Sequence, residues 1–464
     1  MHKDKLIQEL FQRIKDLTSR LEQAENEIAE LRFENAELKF RLNSNSNNSS
    51  RPPSSDGYCK KPAFQKNKKG KQGGQTGHKG RTLNQVDNPD FTTMCKPASC
   101  TCGHTFTGTE TLLAEKRQVF DLPEPHLEVT EYQIYKAVCP VCGAVHKGST
   151  PQGVNAPVQY GNGLKAYVVL LNVHFKLPFK KIQLLFGDLF GYPINESSVY
   201  SATRQCYEKL GETEKIIKSR VVAQEVVHAD ETGVRVAGKL HWLHTATSLP
   251  YTYLFVHNNR GAKALNSEKS VLGNFNGWLV HDCWGSYFKF NGCSHSVCGA
   301  HILRELEALV ENKSKWARIF KTFLMNVYKM TFEERIKQQQ HIIKRYTLIC
   351  GMGEKSEPPP IKTSGKRGRY KRTKGRNLVE RLIKEQDAVL AFAFNKNVPF
   401  TNNLAERDIR PVKVKQKISN CFRTLTGADI YARIEGFVST ARKQNRNVYS
   451  ELCATFEGEN FITG

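Results

Sequence analysis

Apolar residues recur with a heptad period over the first 42 residues. Ile7, Ile14, Leu21, Ile28, Asn35 and Leu42 hold one seam position; Leu10, Leu17, Ala24, Leu31 and Leu38 hold the other. Isoleucine at a with leucine at d favours a parallel two-stranded coiled coil, and a buried amide at an a position fixes its register. Residues 1–42 are therefore predicted to be a homodimerisation helix. The period then stops. Residues 43–90 pass through NSNSNNSSRPPSSDG and KKPAFQKNKKGKQGGQTGHKGRTL, too poor in apolar side chains to offset their ordering entropy, which predicts a disordered basic linker. Within residues 91–150, VFDLPEPHLEVTEYQIYKA alternates polar and apolar positions as a hairpin would. Over residues 155–218, KLPFKKIQLLFGDLFG and INESSVYSATRQCYEKL read as two helices around a Gly-Tyr-Pro turn, with a capping hydroxyl expected at Glu196-Ser-Ser. That pairing fits a helix-turn-helix-like DNA-binding region and equally an ordinary helical hairpin. From residue 221 the runs VVAQEVVHADETGVRV, KLHWLHTATS, YTYLFVHNNR and GWLVHDCWGSYFKF are short, β-branched and aromatic, as strands are.

Charge narrows the class of partner. Lys and Arg total 69 against 45 Asp and Glu, a net charge of +24 and a pI near 9.5, which favours a polyanion such as nucleic acid or an acidic membrane face. No apolar run is long enough to span a bilayer, and MHKDKLIQEL lacks the apolar core of a signal peptide. No membrane partner and a reducing, cytoplasmic location are the expectation. The basic residues are concentrated: nine against the single acid Asp56 in residues 43–83, and eight with no acid in residues 361–377. Such stretches contact phosphates without reading sequence. In the loop 351–377, Lys366, Arg367, Arg369, Lys371 and Arg372 are candidate DNA contacts.

The 13 cysteines are an odd number in uneven clusters, which suits metal ligands and buried thiols better than disulfides. Cys139-Pro-Val-Cys142-Gly has the form of a zinc knuckle, with Gly143 easing the turn. The earlier cluster offers Cys95, Cys100, Cys102 and His104. Cys100 and Cys102 are the expected partners, with Cys95 as rival. A structural Zn²⁺ on Cys100, Cys102, Cys139 and Cys142 would close residues 91–150 into a small β module without chemistry of its own.

Two of the strands carry an acid at a similar point, Asp230 in VVHADET and Asp282 in WLVHDCW. A third acid, Glu406, lies on a helix predicted in PFTNNLAERDIRPVKVKQKISNC, with Asn402 or Asn403 as cap. Two strand acids and one helix acid are the hard-oxygen donor set that holds a pair of Mg²⁺ (or Mn²⁺) ions for in-line displacement at phosphorus. Arg407, Arg410, Lys413 and Lys415 on the same helix are candidate contacts to the scissile backbone. Against this stand a helical ion pair of Glu406 with Arg410, and the competing acids Glu231, Glu305 and Glu307. Strand alternation turns Glu231 to the other face. His228 and His281 read as packing or supporting groups, since imidazole suits Zn²⁺ better than Mg²⁺.

NSSRPPSSDG, GGQTGHKGRTL, CPVCG, LPFKKIQ with SSVY, HADETGVRV, HDCWGSY, CGAHILRELE and TNNLAERDIRPVKVKQKISNCFRT occur here in one order. In this the chain resembles the bacterial insertion-sequence transposases of family sixty-six, a group of the DDE transposases, over nearly its whole length. The resemblance implies that Asp230, Asp282 and Glu406 are the catalytic triad of an RNase H-like α/β core (residues 221–300 and 396–450), split by a mostly helical insertion at about 301–395. It also implies a bacterial, nucleoid-associated enzyme that binds terminal inverted repeats and target double-stranded DNA, cleaves, and transfers strands, with accessory proteins of the element as further partners. KWARIFKTFLMNVYKMTFEERIKQQQHIIKRYTLIC and EQDAVLAFAF are helical in pattern, in keeping with that insertion. The single residue between Cys100 and Cys102, where two are usual, leaves the zinc ligand set open. The expected fold class is thus multidomain α+β. The rival readings are an inactive transposase-derived DNA-binding regulator and an RNase H-fold nuclease or resolvase.

Overall fold

The computed structural model describes residues 2–45, 48, 83–106, 112–359 and 372–462. Most of the predicted linker, and Lys366, Arg367, Arg369 and Lys371 of the basic loop, lie outside these residues. The chain divides into two compact units, one of residues 1–60, 150–187 and 193–464, the other of residues 61–149 and 188–192.

In the larger unit the heptad stretch is one helix, α1 (His2–Asn43). Its seam side chains Ile7, Leu10, Ile14, Leu17, Leu21, Ile28, Leu31, Leu38 and Leu42 are 48–84% exposed. The helix meets the rest of its unit through its back. Phe33 is buried and Phe40 half-buried; the two are seven residues apart and lie on the side of the helix away from the seam. Asn43 beyond them donates to Asn312 at 2.9 Å.

In the smaller unit the regular strands are β1 (Lys136–Val138) and β2 (Val145–Lys147), paired antiparallel around the second cysteine cluster. The hairpin predicted between the cysteine clusters does not form. Residues 112–135 carry no regular strand: Pro123 and Pro125 remove backbone donors, and Leu122 and Val129 stay 87% and 91% exposed, with no core to pack on.

Back in the larger unit, α2 (Asn162–Val169) runs into a wider π turn at Leu170–His174. It is followed by α3 (Phe179–Phe190), α4 (Glu196–Lys209) and α5 (Gly211–Val222). The predicted helix pair is therefore α3 and α4. The cap of α4 is Asn195, accepting from the Ser197 N–H at 3.1 Å, rather than either serine hydroxyl. Close by, Lys176 adopts a left-handed φ of 63° that aims its ammonium inward at Glu435, 2.6 Å away, with 8% and 5% of the two side chains exposed. Breaking a buried pair strands the remaining charge. Lys176→Met is therefore expected to destabilise the protein by about 3–5 kcal/mol in urea unfolding, and adding Glu435→Leu to restore most of the loss. Additive losses in the double variant would refute this.

The sheet contains β3 (Val226–Val236), β4 (Lys239–Thr247), β5 (Thr252–His257), and, after the short α6 (Ala262–Leu265), β6 (Trp278–His281) and β7 (Ser294–Val297). Its order is β5-β4-β3-β6-β7. The first three strands form an antiparallel meander, and β6 and β7 are added parallel to β3. The GSYFKF half of the fourth predicted strand is instead a loop with a 3₁₀ turn at Tyr287–Lys289.

Among the described residues helices follow next: α7 (Gly299–Glu311), α8 (Lys315–Lys329), α9 (Phe332–Lys337), α10 (Gln339–Ser356), α11 (Lys374–Lys384) and α12 (Gln386–Phe394). What reads as one long helix in the sequence is three, because Thr331 makes a capping box with Glu334 and restarts the chain. The loop predicted at 351–377 is also shorter, with α10 running to Ser356 and α11 starting at Lys374. These helices bury their own core around Trp316, Phe320, Leu324, Tyr346 and Val379. The chain returns to the sheet through α13 (Asn403–Ser419), α14 (Leu425–Lys443) and α15 (Val448–Glu457). No helix of the described residues is long and apolar enough to cross a membrane.

Candidate active site

Register brings the two strand acids together. β3 pairs β6 in parallel as far as His228 opposite Val280; Asp230 and Asp282 each follow two residues beyond that last pair, near enough for their charges to interact. Adjacent strands are about 4.8 Å apart. Alternation then sorts the side chains. Val227, Ala229 and Leu279 enter the core on one face of the sheet, and Val280 packs with Ala391 and Val398 on the other. Asp230 shares its face with His228 and Asp282 with Val280. Asp230 lies inside β3, and the opening beside it arises because β6 stops at His281.

Glu406 reaches this face through a buried amide. Asn402, 1% exposed, holds the N-cap position of α13 without capping it. Its Oδ1 accepts from His228 Nδ1 at 2.9 Å, its Nδ2 donates to the Ala229 carbonyl at 2.8 Å, and its own N–H donates to Cys298 Sγ at 3.1 Å. One residue thus ties α13 to the middle of β3 and to the start of α7. Further along the helix, Asp408 accepts from Lys443 at 2.6 Å and from Thr252 at 3.0 Å, which fixes α13 against α14 and the β4–β5 turn.

The electrostatics are those of crowded acids. Burial pushes the Asp230 carboxyl up to about 8; Glu231 and Asp282 add to the rise, the Glu231 N–H bond opposes it, and Glu406 adds last. Asp282 is steadied by the Trp284 N–H at 3.0 Å. Glu406 Oε1 is buried without a hydrogen-bond partner. On α7 it faces the Arg304 guanidinium, Nη2 at 3.7 Å, and the His301 imidazole, Nδ1 at 3.8 Å, which burial disfavours as a cation; the expected alternative of a pair with Arg410 along α13 is not formed. No three carboxylate oxygens of the triad lie within 4.8 Å of one another among the described residues. One ion would need such a cluster. Two ions about 4 Å apart, each about 2.1 Å from its oxygens, spread their ligands over roughly 8 Å, and crowded acids with an orphaned buried oxygen fit that larger span.

A folded-state value raised for Asp230 has a pH consequence. Below the ordinary carboxyl value the group is protonated in both states. Between there and about pH 8 the unfolded chain ionises while the fold holds its proton. Metal-free protein should therefore lose stability as pH rises from 4 to 8, and Asp230→Asn should flatten that slope in urea titrations. An unchanged slope would remove the crowding.

The competing acids are engaged elsewhere. Glu231 turns to the opposite face, where it accepts from Arg260 Nε at 2.8 Å and from the Tyr287 hydroxyl. Arg260 itself lies over the rings of Trp284 and Trp242, 4.4 and 4.9 Å from their centroids. Glu305 accepts both of its bonds from Arg381 at 2.7 Å, and Glu307 pairs with Lys321. Burial holds His228 down to about 4 and His281 down to about 3, so both are neutral supports.

Of the basic candidates, Arg407 and Arg410 are exposed on α13. Lys413 and Lys415 spend their ammonium groups on carbonyls of the fold, Gly233 at 3.0 Å and Asn172 at 3.3 Å, and burial lowers Lys415 to about 8. Arg372 is paired with Glu380 at 2.9 Å. In the smaller unit Cys100 and Cys102 sit inside the Ser99–Thr105 bridge, and Cys139 and Cys142 between β1 and β2. In each pair the following glycine has positive φ, 93° at Gly103 and 74° at Gly143, and bonds back to the first cysteine. Backbone hydrogen bonds lower the Cys100 and Cys139 thiols, the polarity a metal thiolate requires. No three of these sulfurs lie within 4.8 Å of one another.

Sequence reasoning missed three residues here. Cys298, His301 and Arg304 all lie in the CGAHILRELE segment, and their signal was a Cys-x-x-His spacing opening a helix. Residues 2–84 match a family of unknown function, DUF6444. No curated protein matches the chain. Residues 157–430, which contain the whole sheet, the helical segment and Glu406, match the Transposase IS66 family, and the chain belongs to that family.

Proposed function

We propose that this transposase is a DDE enzyme whose larger unit is an RNase H-like core carrying Asp230, Asp282 and Glu406 as catalytic carboxylates. The observation that carries the reading is that Asp230 and Asp282 each follow by two residues the last paired positions of adjacent parallel strands, with α13 tied to the middle of β3 by Asn402. The order β5-β4-β3-β6-β7 puts both acid-bearing segments at the join between an antiparallel meander and its parallel extension. Two Mg²⁺ or Mn²⁺ ions, when bound, would activate the attacking oxygen and stabilise the departing one. The three carboxylates would hold them, Asp230 releasing its proton on binding. Arg407 and Arg410, exposed one and four residues beyond Glu406, would neutralise the phosphates on either side of the scissile bond. In cleavage a water oxygen bonds to phosphorus as the P–O3′ bond breaks, freeing a 3′-hydroxyl at the element's end. In strand transfer that hydroxyl attacks a target phosphate, displacing the target's own 3′-oxygen.

The remaining parts supply assembly and recognition in this reading. The seam of α1 is exposed while the opposite side of the helix is docked, which leaves the seam for a second copy. Leu17→Asp with Leu21→Asp should therefore halve the mass seen in sedimentation equilibrium, and an unchanged mass would exclude the seam. Helices α3 and α4 and the two cysteine knuckles would bind the terminal repeats, with a structural Zn²⁺ drawing the knuckles together. Mg²⁺-dependent nicking of the inverted repeats that flank the coding region, followed by joining to target DNA, tests the whole proposal. Cutting without joining would favour a nuclease or resolvase. Specific binding without cutting would favour a regulator.

A further inference from the structure

Cys298 and His301 have no part in the reaction just described, yet they open the helix that faces Glu406. Cys298 is fully buried at the N-cap of α7. The Asn402 N–H donates to its sulfur at 3.1 Å, the kind of backbone support that a metal-bound thiolate receives. His301 Nδ1 is buried with no hydrogen-bond partner, and so is Glu406 Oε1, 3.8 Å away. Two orphaned polar atoms that face each other across a gap too long for a hydrogen bond leave room for something between them. The sulfur, an imidazole nitrogen and a carboxylate oxygen of Glu406 all lie within 4.8 Å of one another.

The chemistry of the donors selects the ion. A thiolate and an imidazole bind borderline and soft cations, while Mg²⁺ prefers an all-oxygen shell. Tetrahedral Zn²⁺, about 2.3 Å from sulfur and about 2.0 Å from nitrogen and oxygen, separates its ligands by roughly 3.3–3.6 Å. The three groups therefore need to close by little more than about 1 Å, with a water as fourth ligand. Arg304, whose guanidinium is 3.7 Å from the same Glu406 oxygen and 34% exposed, has solvent to withdraw into as the cation enters. We propose that Cys298, His301 and Glu406 form a second metal site, selective for Zn²⁺ over Mg²⁺, and that filling it withdraws Glu406 from the catalytic pair and stops cleavage. The binding claim stands on the three donors alone; the inhibition claim rests on the catalytic reading of Glu406.

The test uses the full chain in two assays. After dialysis in buffered free Zn²⁺, bound zinc is counted by elemental analysis in the wild type, Cys298→Ser and His301→Gln. The smaller unit's cysteines give the same background in all three, so the wild type should hold one more equivalent than either variant. Co²⁺ loading should show a thiolate-to-cobalt charge-transfer band that is weaker by one thiolate's contribution in Cys298→Ser. In Mg²⁺-dependent end cleavage, the same buffered Zn²⁺ should slow the wild type at least tenfold relative to its zinc-free rate. Each variant should keep most of its own zinc-free rate. Equal zinc counts in the wild type and both variants would overturn the site. An extra equivalent that leaves wild-type cleavage unaffected would overturn the shared carboxylate. Absence of cleavage in zinc-free Mg²⁺ would instead count against the catalytic reading, with the zinc counts still deciding the site.

Discussion

Asp230→Asn, Asp282→Asn and Glu406→Gln are each expected to reduce strand cleavage by a factor on the order of 10³ or more, while specific binding to the element's ends persists. Each change removes a charged oxygen ligand, and metal stabilisation of a phosphoryl transition state amounts to several kcal/mol, at about 1.4 kcal/mol per decade of rate. Fold loss is not the cause. Burial, and after it the Glu231 and Asp282 charges, disfavours an ionised Asp230, so Asp230→Asn should be as stable as the wild type or more so. That variant therefore separates catalysis from folding by opposite signs. The measurement is nicking of labelled terminal DNA in Mg²⁺, alongside urea unfolding of the same preparations. Cleavage within tenfold of wild type in any one variant would remove that residue from the mechanism. By the same logic Glu231→Gln, which breaks the bond to Arg260 on the opposite face, should cost cleavage far less.

Asn402→Ala is expected to be the most damaging change that touches no reacting atom. The side chain satisfies the His228 imidazole and the Ala229 carbonyl, both inside the fold. An orphaned buried group costs about 1–3 kcal/mol, so two cost about 2–6 kcal/mol. Cleavage should fall further than stability alone predicts, because the tether that sets Glu406 over the strand acids is cut. Asn402→Asp separates the two roles: it keeps an acceptor for His228 Nδ1 and loses the donor to Ala229. Its stability loss should lie between wild type and Asn402→Ala. A cleavage defect in Asn402→Ala that disappears once folded fraction is normalised would reduce Asn402 to a packing residue.

How much of this was legible in the sequence depends on the range of the signal. The heptads of α1 and the runs that became β3, β4 and β5 are local periodic patterns, and they were read close to their true extents. The alternating stretch before Lys136 was misread because periodicity reports a strand only where there is a surface to bury, and here two prolines interrupt it and none of its apolar side chains is buried. The break between α8 and α10 turns on one threonine with a glutamate three residues on, a short signal inside a long apolar pattern. Asp230 and Asp282 were identifiable as strand acids. Their nearness to each other depends on register, which no single strand encodes. The role of Asn402 was hidden for a similar reason: a residue in a cap position was read as a cap, while its partners are 174 and 173 positions away in sequence. Arg372, Lys413 and Lys415 looked like free cations because a charge count cannot see Glu380, Gly233 or Asn172 beside them. Cys298 and His301 were in plain view as a short spacing, but their meaning appears only when α7 is laid against Glu406.

The central claim is that three acids from two strands and one helix grip a pair of divalent ions. Anomalous scattering from Mn²⁺ in crystals of the protein bound to its terminal DNA tests it most directly. The account predicts two peaks about 3.5–4 Å apart, one or both touching Asp230 and Asp282, with Glu406 on the second. Manganese absent from these carboxylates, or a single ion that leaves Asp282 or Glu406 unbound, would contradict it.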